Sequence, residues 1–171
     1  MTKSFNQLIV AAIAIFIVAC NTAPTDSKTA ETTGAKDSPA FDLTAAKSSI
    51  EAENVKFIDA FEKGDSTGVA AFYADDALIL PPNMESVKAN GIAAFYGSFM
   101  RTGGVKDFKI MTDDVAGNEN QLVETGRYEM YGAENKLMDK GKYVGVRKAV
   151  NGGWKTYRNI FISDMPAAPM K

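Results

Sequence analysis

Residues 54–82, NVKFIDAFEKGDSTGVAAFYADDALILPP, change their apolar period twice, and those two changes decide the fold. Phe57, Ile58 and Phe61, extended back to Ile50 and Asn54, recur at the i, i+4, i+7, i+8, i+11 spacing of one helix face. A helix with a buried stripe is the reading. Gly64 can adopt the left-handed conformation that stops it, and Asp65 or Ser66 can cap a second, shorter helix carrying Val69, Phe72 and Tyr73. Ala74-Asp75-Asp76 then reads as a turn, with the two carboxylates capping it. Ala77-Leu78-Ile79-Leu80 is an apolar run halted by Pro81-Pro82, which cannot extend a hydrogen-bonded ladder, so it predicts a short buried strand.

On the N-terminal side of this stretch, Asp42 is placed to cap the long helix, which runs to Lys63. On its C-terminal side, residues 83–89 read as loop, and Ile92, Phe95, Tyr96 and Phe99 predict a third helix closed by Gly103-Gly104. The remainder of the chain predicts strands at 105–112, 121–131, 136–150 and 154–163, joined by Gly-, Asn- and Asp/Glu-rich segments of hairpin chemistry. Helices first and a meander afterwards give an α+β domain in which a curved antiparallel sheet wraps around the long N-terminal helix.

Helix, Gly-Asp corner, short helix, Tyr73-Ala74-Asp75-Asp76 and apolar strand, in that order, resemble the opening of the nuclear transport factor 2-like superfamily, which includes ketosteroid isomerases and SnoaL-like polyketide cyclases. Gly91-Ile92-Ala93-Ala94-Phe95-Tyr96, Gly126-Arg127-Tyr128, Gly141-Lys142-Tyr143 and Gly153-Trp154-Lys155 extend the resemblance over residues 43–165. It implies a cone with a pocket at the wide end. It also implies that Leu122, Glu124, Gly126, Tyr128 and Met130 face the pocket, together with Val144, Val146, Tyr157, Asn159 and Phe161. The opposite face, with Arg127, Glu129, Tyr131, Tyr143 and Arg147, then becomes the superfamily's usual dimer surface, so a homodimer is expected.

The apolar walls expected of such a pocket are Phe57, Phe61, Phe95 and Phe161; aliphatic and Phe side chains at sheet spacing serve packing as well. Asn54, Glu124, Tyr128 and Asn159 are different, because a buried polar group left unpaired costs about 1–3 kcal/mol. They either satisfy one another or face a ligand. Carried over residue by residue, the isomerase phenol falls on Phe57, its base on Pro81 and its acid on Val144, none of which transfers a proton, so no catalytic residue is assigned. The reading is a pocket that binds a small, mostly apolar molecule without catalysis. The alternatives are an isomerase or cyclase working through Glu124 and Tyr128, and a dimeric assembly module.

The chain of 171 residues is 46% hydrophobic and 23% charged, which suits one domain with extensions. It has no His and one Cys, which removes the usual zinc ligands, the imidazole base and any intrachain disulfide, so neither metal nor cofactor is expected. A formal charge of -2 and no basic stretch with interleaved aromatics exclude a phosphate-tracking surface, hence no nucleic acid.

Met1 to Gln7 carry Lys3 and no acid, and residues 8–18 are apolar throughout, the layout of a signal peptide. That run is well short of the ~20 apolar residues that span a bilayer. Ile17-Val18-Ala19-Cys20 resembles the lipobox of bacterial lipoproteins, in which the Cys is diacylated and becomes the new N-terminus. The expected division is therefore a lipoprotein signal peptide at 1–19, lipidated Cys20 with a disordered tether at 20–40, the domain at 41–166 and a tail at 167–171. The expected location is the bacterial cell envelope, held at the membrane by lipid alone.

Overall fold

Asp42 opens the first helix as expected, its Oδ1 accepting the amides of Thr44 and Ala45 at 2.9 and 3.0 Å. The computed structural model describes residues 41–166. The expected signal peptide, Cys20, tether and tail lie outside the described residues. Helix α1 spans Leu43–Glu62 and buries Ala46, Ile50, Asn54 and Phe61 along the stripe its spacing defines. Gly64, at φ 74°, ends it. Asp65 then caps α2, Ser66–Ala70, by accepting the Gly68 amide at 2.8 Å.

Here the chain departs from the sequence reading. Helix α2 stops at Ala70, and strand β1 already begins at Tyr73, running to Leu80. The cause is tertiary: Thr156 donates its amide to the Phe72 carbonyl at 2.9 Å, and Tyr73 pairs with Thr156. Tyr73-Ala74-Asp75-Asp76 is therefore strand, not turn. Asp75 and Asp76 are exposed and cap nothing; Asp76 instead pairs with Lys148. The segment expected as loop contains a two-residue strand β2, Val87–Lys88, and a 3-10 turn, Ala89–Gly91, that leads into α3, Ile92–Gly103. Gly104, at φ 67°, closes α3.

Strands β3 (Asp107–Gly117), β4 (Gln121–Tyr131), β5 (Leu137–Val150) and β6 (Gly153–Ser163) form the meander. The sheet order is β2-β1-β6-β5-β4-β3, antiparallel except where β1 lies parallel to β6. The resulting α+β architecture is a curved, unclosed six-stranded sheet with α1 packed along β3. Ladder irregularities fall between Thr112 and Asp114 in β3 and at Tyr157 in β6, and such bulges bend and twist a strand locally. Two apolar clusters fill the inside. One gathers Phe61, Val69, Ile79, Ile92 and Phe108; the other joins Ile50, Val115 and Leu122 beneath Trp154.

Strand β4 alternates as expected, with Leu122, Glu124, Gly126 and Tyr128 buried. In β5 the expected parity is reversed. Glu124 pairs with Gly145 and Tyr128 with Gly141, so the inward set is Asp139, Gly141, Tyr143, Gly145 and Arg147. Val144 is 38% exposed on the outer face together with Val146, while Tyr143 and Arg147 leave the supposed dimer surface for the interior. The physical reason is space. A Cβ on Gly141 would collide with the Ile162 carbonyl oxygen of β6 and would also sit 2.8 Å from the Tyr128 ring and hydroxyl. Gly145 is looser, its Cβ position lying 3.7 Å from Glu124. Gly141→Ala is accordingly expected to destabilise the domain by about 1–3 kcal/mol through overpacking, and Gly145→Ala by no more than ~0.5 kcal/mol, measured by urea unfolding. Equal effects at the two sites would refute the close packing of Ile162 and Tyr128 around Gly141.

Candidate functional site

The sheet and helices enclose a cavity of ≈ 140 Å³. Of the residues expected there, Asn54, Phe57, Phe95, Glu124, Tyr128, Asn159 and Phe161 line it, and Phe61, Val144 and Tyr157 do not. Phe61 lies in the core, with its ring 4.9 Å from that of Phe108. Tyr157 is displaced by the β6 irregularity: Arg147 pairs with Thr156 and Val146 with Arg158, so Tyr157 has no partner in the ladder and Thr156 takes the inward place. The Arg158 guanidinium stacks 3.5 Å above the Tyr157 ring.

Sequence reasoning missed Tyr73, Tyr96, Phe72, Phe99 and Phe108, which complete the aromatic wall, and Asp139, Tyr143 and Arg147, which add charge and hydroxyl. Helix spacing already put Tyr96 on the apolar side of α3. Arg147 was signalled by Glu124, since a carboxylate with no exposed surface requires a cation of the right strand parity.

Five hydrogen bonds converge on that carboxylate. Its Oε1 accepts from Asn54 Nδ2 at 2.8 Å, Thr112 Oγ1 at 2.8 Å and Tyr143 Oη at 2.7 Å. Its Oε2 accepts from Arg147 Nε at 2.8 Å and Nη2 at 2.6 Å. Arg147 Nη2 also donates to Asn54 Oδ1 at 2.8 Å, and Glu53 stands 3.5 Å from Nη1. Burial opposes the charge on Glu124, but the Arg147 guanidinium and the donors from Tyr143 and Asn54 outweigh it and hold its carboxyl below the ordinary value. Burial and the neighbouring Glu124 charge push the Tyr143 hydroxyl well up. Glu124 is thus a fixed anion inside a complete donor shell, not a group poised to exchange protons near neutral pH.

Toward the other end of β5, Tyr128 Oη donates to Asp139 Oδ2 at 2.9 Å and Ser163 Oγ to Oδ1 at 2.6 Å. Burial and this carboxylate raise the Tyr128 hydroxyl far above its ordinary value. Between these two networks lies a third. Tyr73 and Tyr96 share a hydrogen bond of 2.6 Å between their hydroxyls, and Asn159 Nδ2 donates to Tyr73 Oη at 3.3 Å. Burial raises the pKa of both phenols. Among the described residues no group of three or more acidic or cysteine side chains is arranged to hold a metal ion.

A helix clasped by an open, curved sheet around an aromatic cavity is the nuclear transport factor 2-like architecture. The SnoaL-like domain model matches residues 55–161, more than half of the chain, and the chain belongs to that family. A domain of unknown function with a cystatin-like fold from Nostoc punctiforme is 20% identical at a TM-score of 0.64, over 74% of this chain and 82% of its own. A ketosteroid isomerase-like protein of Erwinia carotovora atroseptica is 20% identical at 0.57, over 70% and 96%. A nuclear transport factor 2-like protein of Cytophaga hutchinsonii is 21% identical at 0.54, over 68% and 97%. At these identities the likeness is one of fold. No curated protein matches the chain significantly. The family includes both binding proteins and isomerases or cyclases.

Removing the cation tests the network directly. Arg147→Met should cost about 3–5 kcal/mol at pH 7, because it leaves a buried carboxylate unpaired. The pH dependence has a fixed sign. A carboxyl whose folded pKa is depressed contributes stability above its unfolded value, near 4.5, and loses it as pH falls through the folded value. Thermal unfolding should therefore show the parent losing stability below about pH 4.5, and the Arg147→Met penalty shrinking as pH falls, beginning above 4.5 because the variant's unpaired buried carboxyl takes up its proton earlier. A penalty that is independent of pH would contradict the ion-pair assignment.

Proposed function

We propose that this protein is a lipid-anchored envelope protein whose cavity holds a small, mostly apolar molecule without transforming it. The observation that carries the reading is the combination of an aromatic wall with ionisable groups that are already engaged: Glu124 by Arg147, and Asp139 by Tyr128 and Ser163. Apolar walls with a few placed polar groups are the usual make-up of small-molecule sites. A general acid or base needs a pKa near the working pH, and the shift at Glu124 runs the other way. Pro81 is absent from the cavity lining and Val144 faces outward, so the isomerase positions carried over from the resemblance have no chemical counterpart here.

The chain carrying Cys20→Ala, purified without its lipid, should bind p-cymene saturably, followed by titration calorimetry. Any molecule that copurifies should be recovered unchanged after incubation with the emptied protein. Chemical conversion of that molecule would overturn the binding reading, and failure of p-cymene to bind would remove its apolar pocket. The lipid anchor rests on Ile17-Val18-Ala19-Cys20 and has its own test. The parent is expected in the membrane fraction and the Cys20→Ala chain in the soluble one, and equal retention of both would end that part of the proposal.

The outer sheet face supports a homodimer, on other residues than the sequence reading expected. Leu80, Ile160 and Val144 pair side by side across three strands at 38–41% exposure, with Ile162 at 53% beside them. The flanking charges are neutralised within the chain, Arg127 by Asp113 and Lys142 by Asp164, so this face offers little field to a charged partner and suits a second copy related by a twofold axis. Light scattering at micromolar concentration should give the dimer mass for the Cys20→Ala chain and the monomer mass once Val144→Glu is added. A monomer mass before that change would count against the dimer.

A further inference from the structure

Among the described residues three charged side chains line the cavity, Glu124, Asp139 and Arg147, so its wall carries one negative charge in excess. The Arg147 guanidinium is taken up by Glu124 through two bonds of 2.8 and 2.6 Å. Asp139 has no such counterpart: none of the ion pairs among the described residues includes it. Glu124 pairs with Gly145, and Asp139 lies six residues away along β5, about 20 Å at the usual strand rise, so one fork does not serve both carboxylates. The two bonds Asp139 does accept come from hydroxyls, Tyr128 Oη to Oδ2 and Ser163 Oγ to Oδ1. Neither donor brings charge. Burial and the Asp139 carboxylate push the Tyr128 pKa up and keep the phenol neutral. Ser163 Oγ also accepts the Met165 amide at 3.1 Å, which leaves its one proton for Asp139. A carboxylate offers about four lone-pair sites, so each Asp139 oxygen keeps room for a further donor.

The wall around that carboxylate is aromatic. The Tyr128 ring, whose hydroxyl holds Asp139, stands edge-to-face with Phe161 at 6.2 Å, and both line the cavity together with Phe95 and Phe99. A neutral molecule filling this end would strip water from an uncompensated charge, whereas a cation would replace that water with an ion pair. Ammonium groups are also attracted to aromatic faces. We propose that the cavity takes a lipophilic amine as its ammonium ion, with the N–H donors on Asp139 beside Tyr128 and Phe161 and a ring-sized apolar body against the rest of the wall. This rests on the binding reading given above and names its ligand class. A cavity of ≈ 140 Å³ is comparable to those that enclose a single aromatic ring, which bounds the size of that body. Anions are disfavoured by the same arrangement, because the one cation on the wall is already held two-pronged by Glu124.

The deciding probes are 4-methylbenzylammonium and 4-methylbenzyl alcohol, which share one shape and differ in charge, with p-cymene as the uncharged reference and 4-methylbenzoate as the anionic arm. Titration calorimetry of the Cys20→Ala chain at pH 7 should rank the ammonium tightest, roughly tenfold or more ahead of the alcohol, and the benzoate weakest. Adding Asp139→Asn should erase that lead while p-cymene stays within about twofold, which also reports that the variant is folded. Ser163→Ala frees a lone pair on Asp139 and keeps its charge, so it should hold or widen the lead. If p-cymene binds the parent but the alcohol or the benzoate matches the ammonium, charge recognition is refuted while the apolar pocket stands. If the lead survives Asp139→Asn, or disappears in Ser163→Ala, the ammonium sits elsewhere and the proposal is overturned. Should Asp139→Asn lose p-cymene as well, the lead in the parent and its persistence in Ser163→Ala decide. If none of the probes binds the parent, the pocket reading falls and this inference with it.

Discussion

The buried pair of Glu124 and Arg147 is the constraint on which the rest of the domain depends. A carboxylate with no exposed surface is tolerable only inside a full donor shell, and the five donors come from α1, β3 and β5 while the carboxylate sits on β4. The pair therefore fixes the rotation of α1, through Asn54, and the register of three strands at once. A one-residue slip of β5 would turn Arg147 outward and bring Val146 or Lys148 to its place, leaving the carboxylate with no cation or with a lysine ammonium that lacks the two-pronged fork of the guanidinium. The network is a device for specifying one arrangement. Its donors are fully engaged in that task, which is why the chemistry of the cavity has to be sought elsewhere along its wall.

Curvature arises where the ladders break. Strand β3 loses register between Thr112 and Asp114, which keeps Thr112 and Val115 both turned inward while Asp113 lies outside with Arg127. Strand β6 makes the matching adjustment at Tyr157, so that Thr156 and Asn159 can both line the cavity although an odd step of three positions separates them. A flat, unbroken sheet would have put Tyr157 inside and left no hollow beside α1. The bulges thus both bend the sheet over the helix and choose which side chains reach the cavity.

Much of this was legible in the sequence. The stripe of α1, the Gly64 and Asp65 corner, the Gly104 stop and the strand faces of β4 are all set by period and capping chemistry, because each is a local choice with one low-cost solution. The Tyr73 turn failed because a bond from Thr156, some eighty residues away on a parallel strand, overrode a plausible local turn. The face of β5 failed for a more instructive reason. Val144 and Val146 look like core residues and Arg147 like surface, yet here the interior is the polar side and the outer face the apolar one. An apolar-in rule has no means of seeing that inversion. Glu124 was the signal: a carboxylate taken as inward calls for a cation opposite, and the parity that turns Arg147 inward supplies a bidentate one, whereas the other parity offers only lysines.

The same inversion separates what is structural from what is available for binding. Buried polar residues in this cavity fall into groups by proton count, not by position. In the Glu124 group and the Tyr128–Asp139 group each hydroxyl donor already has a carboxylate acceptor. In the Asn159 group Oδ1 has no partner, and one phenol proton and one amide N–H are left over beside it, so this cluster is the part of the wall whose hydrogen bonding is incomplete. The incomplete hydrogen bonding of the cavity wall therefore lies with Asn159, Tyr73 and Tyr96, apart from the carboxylate of Glu124 that holds helix and strands in register.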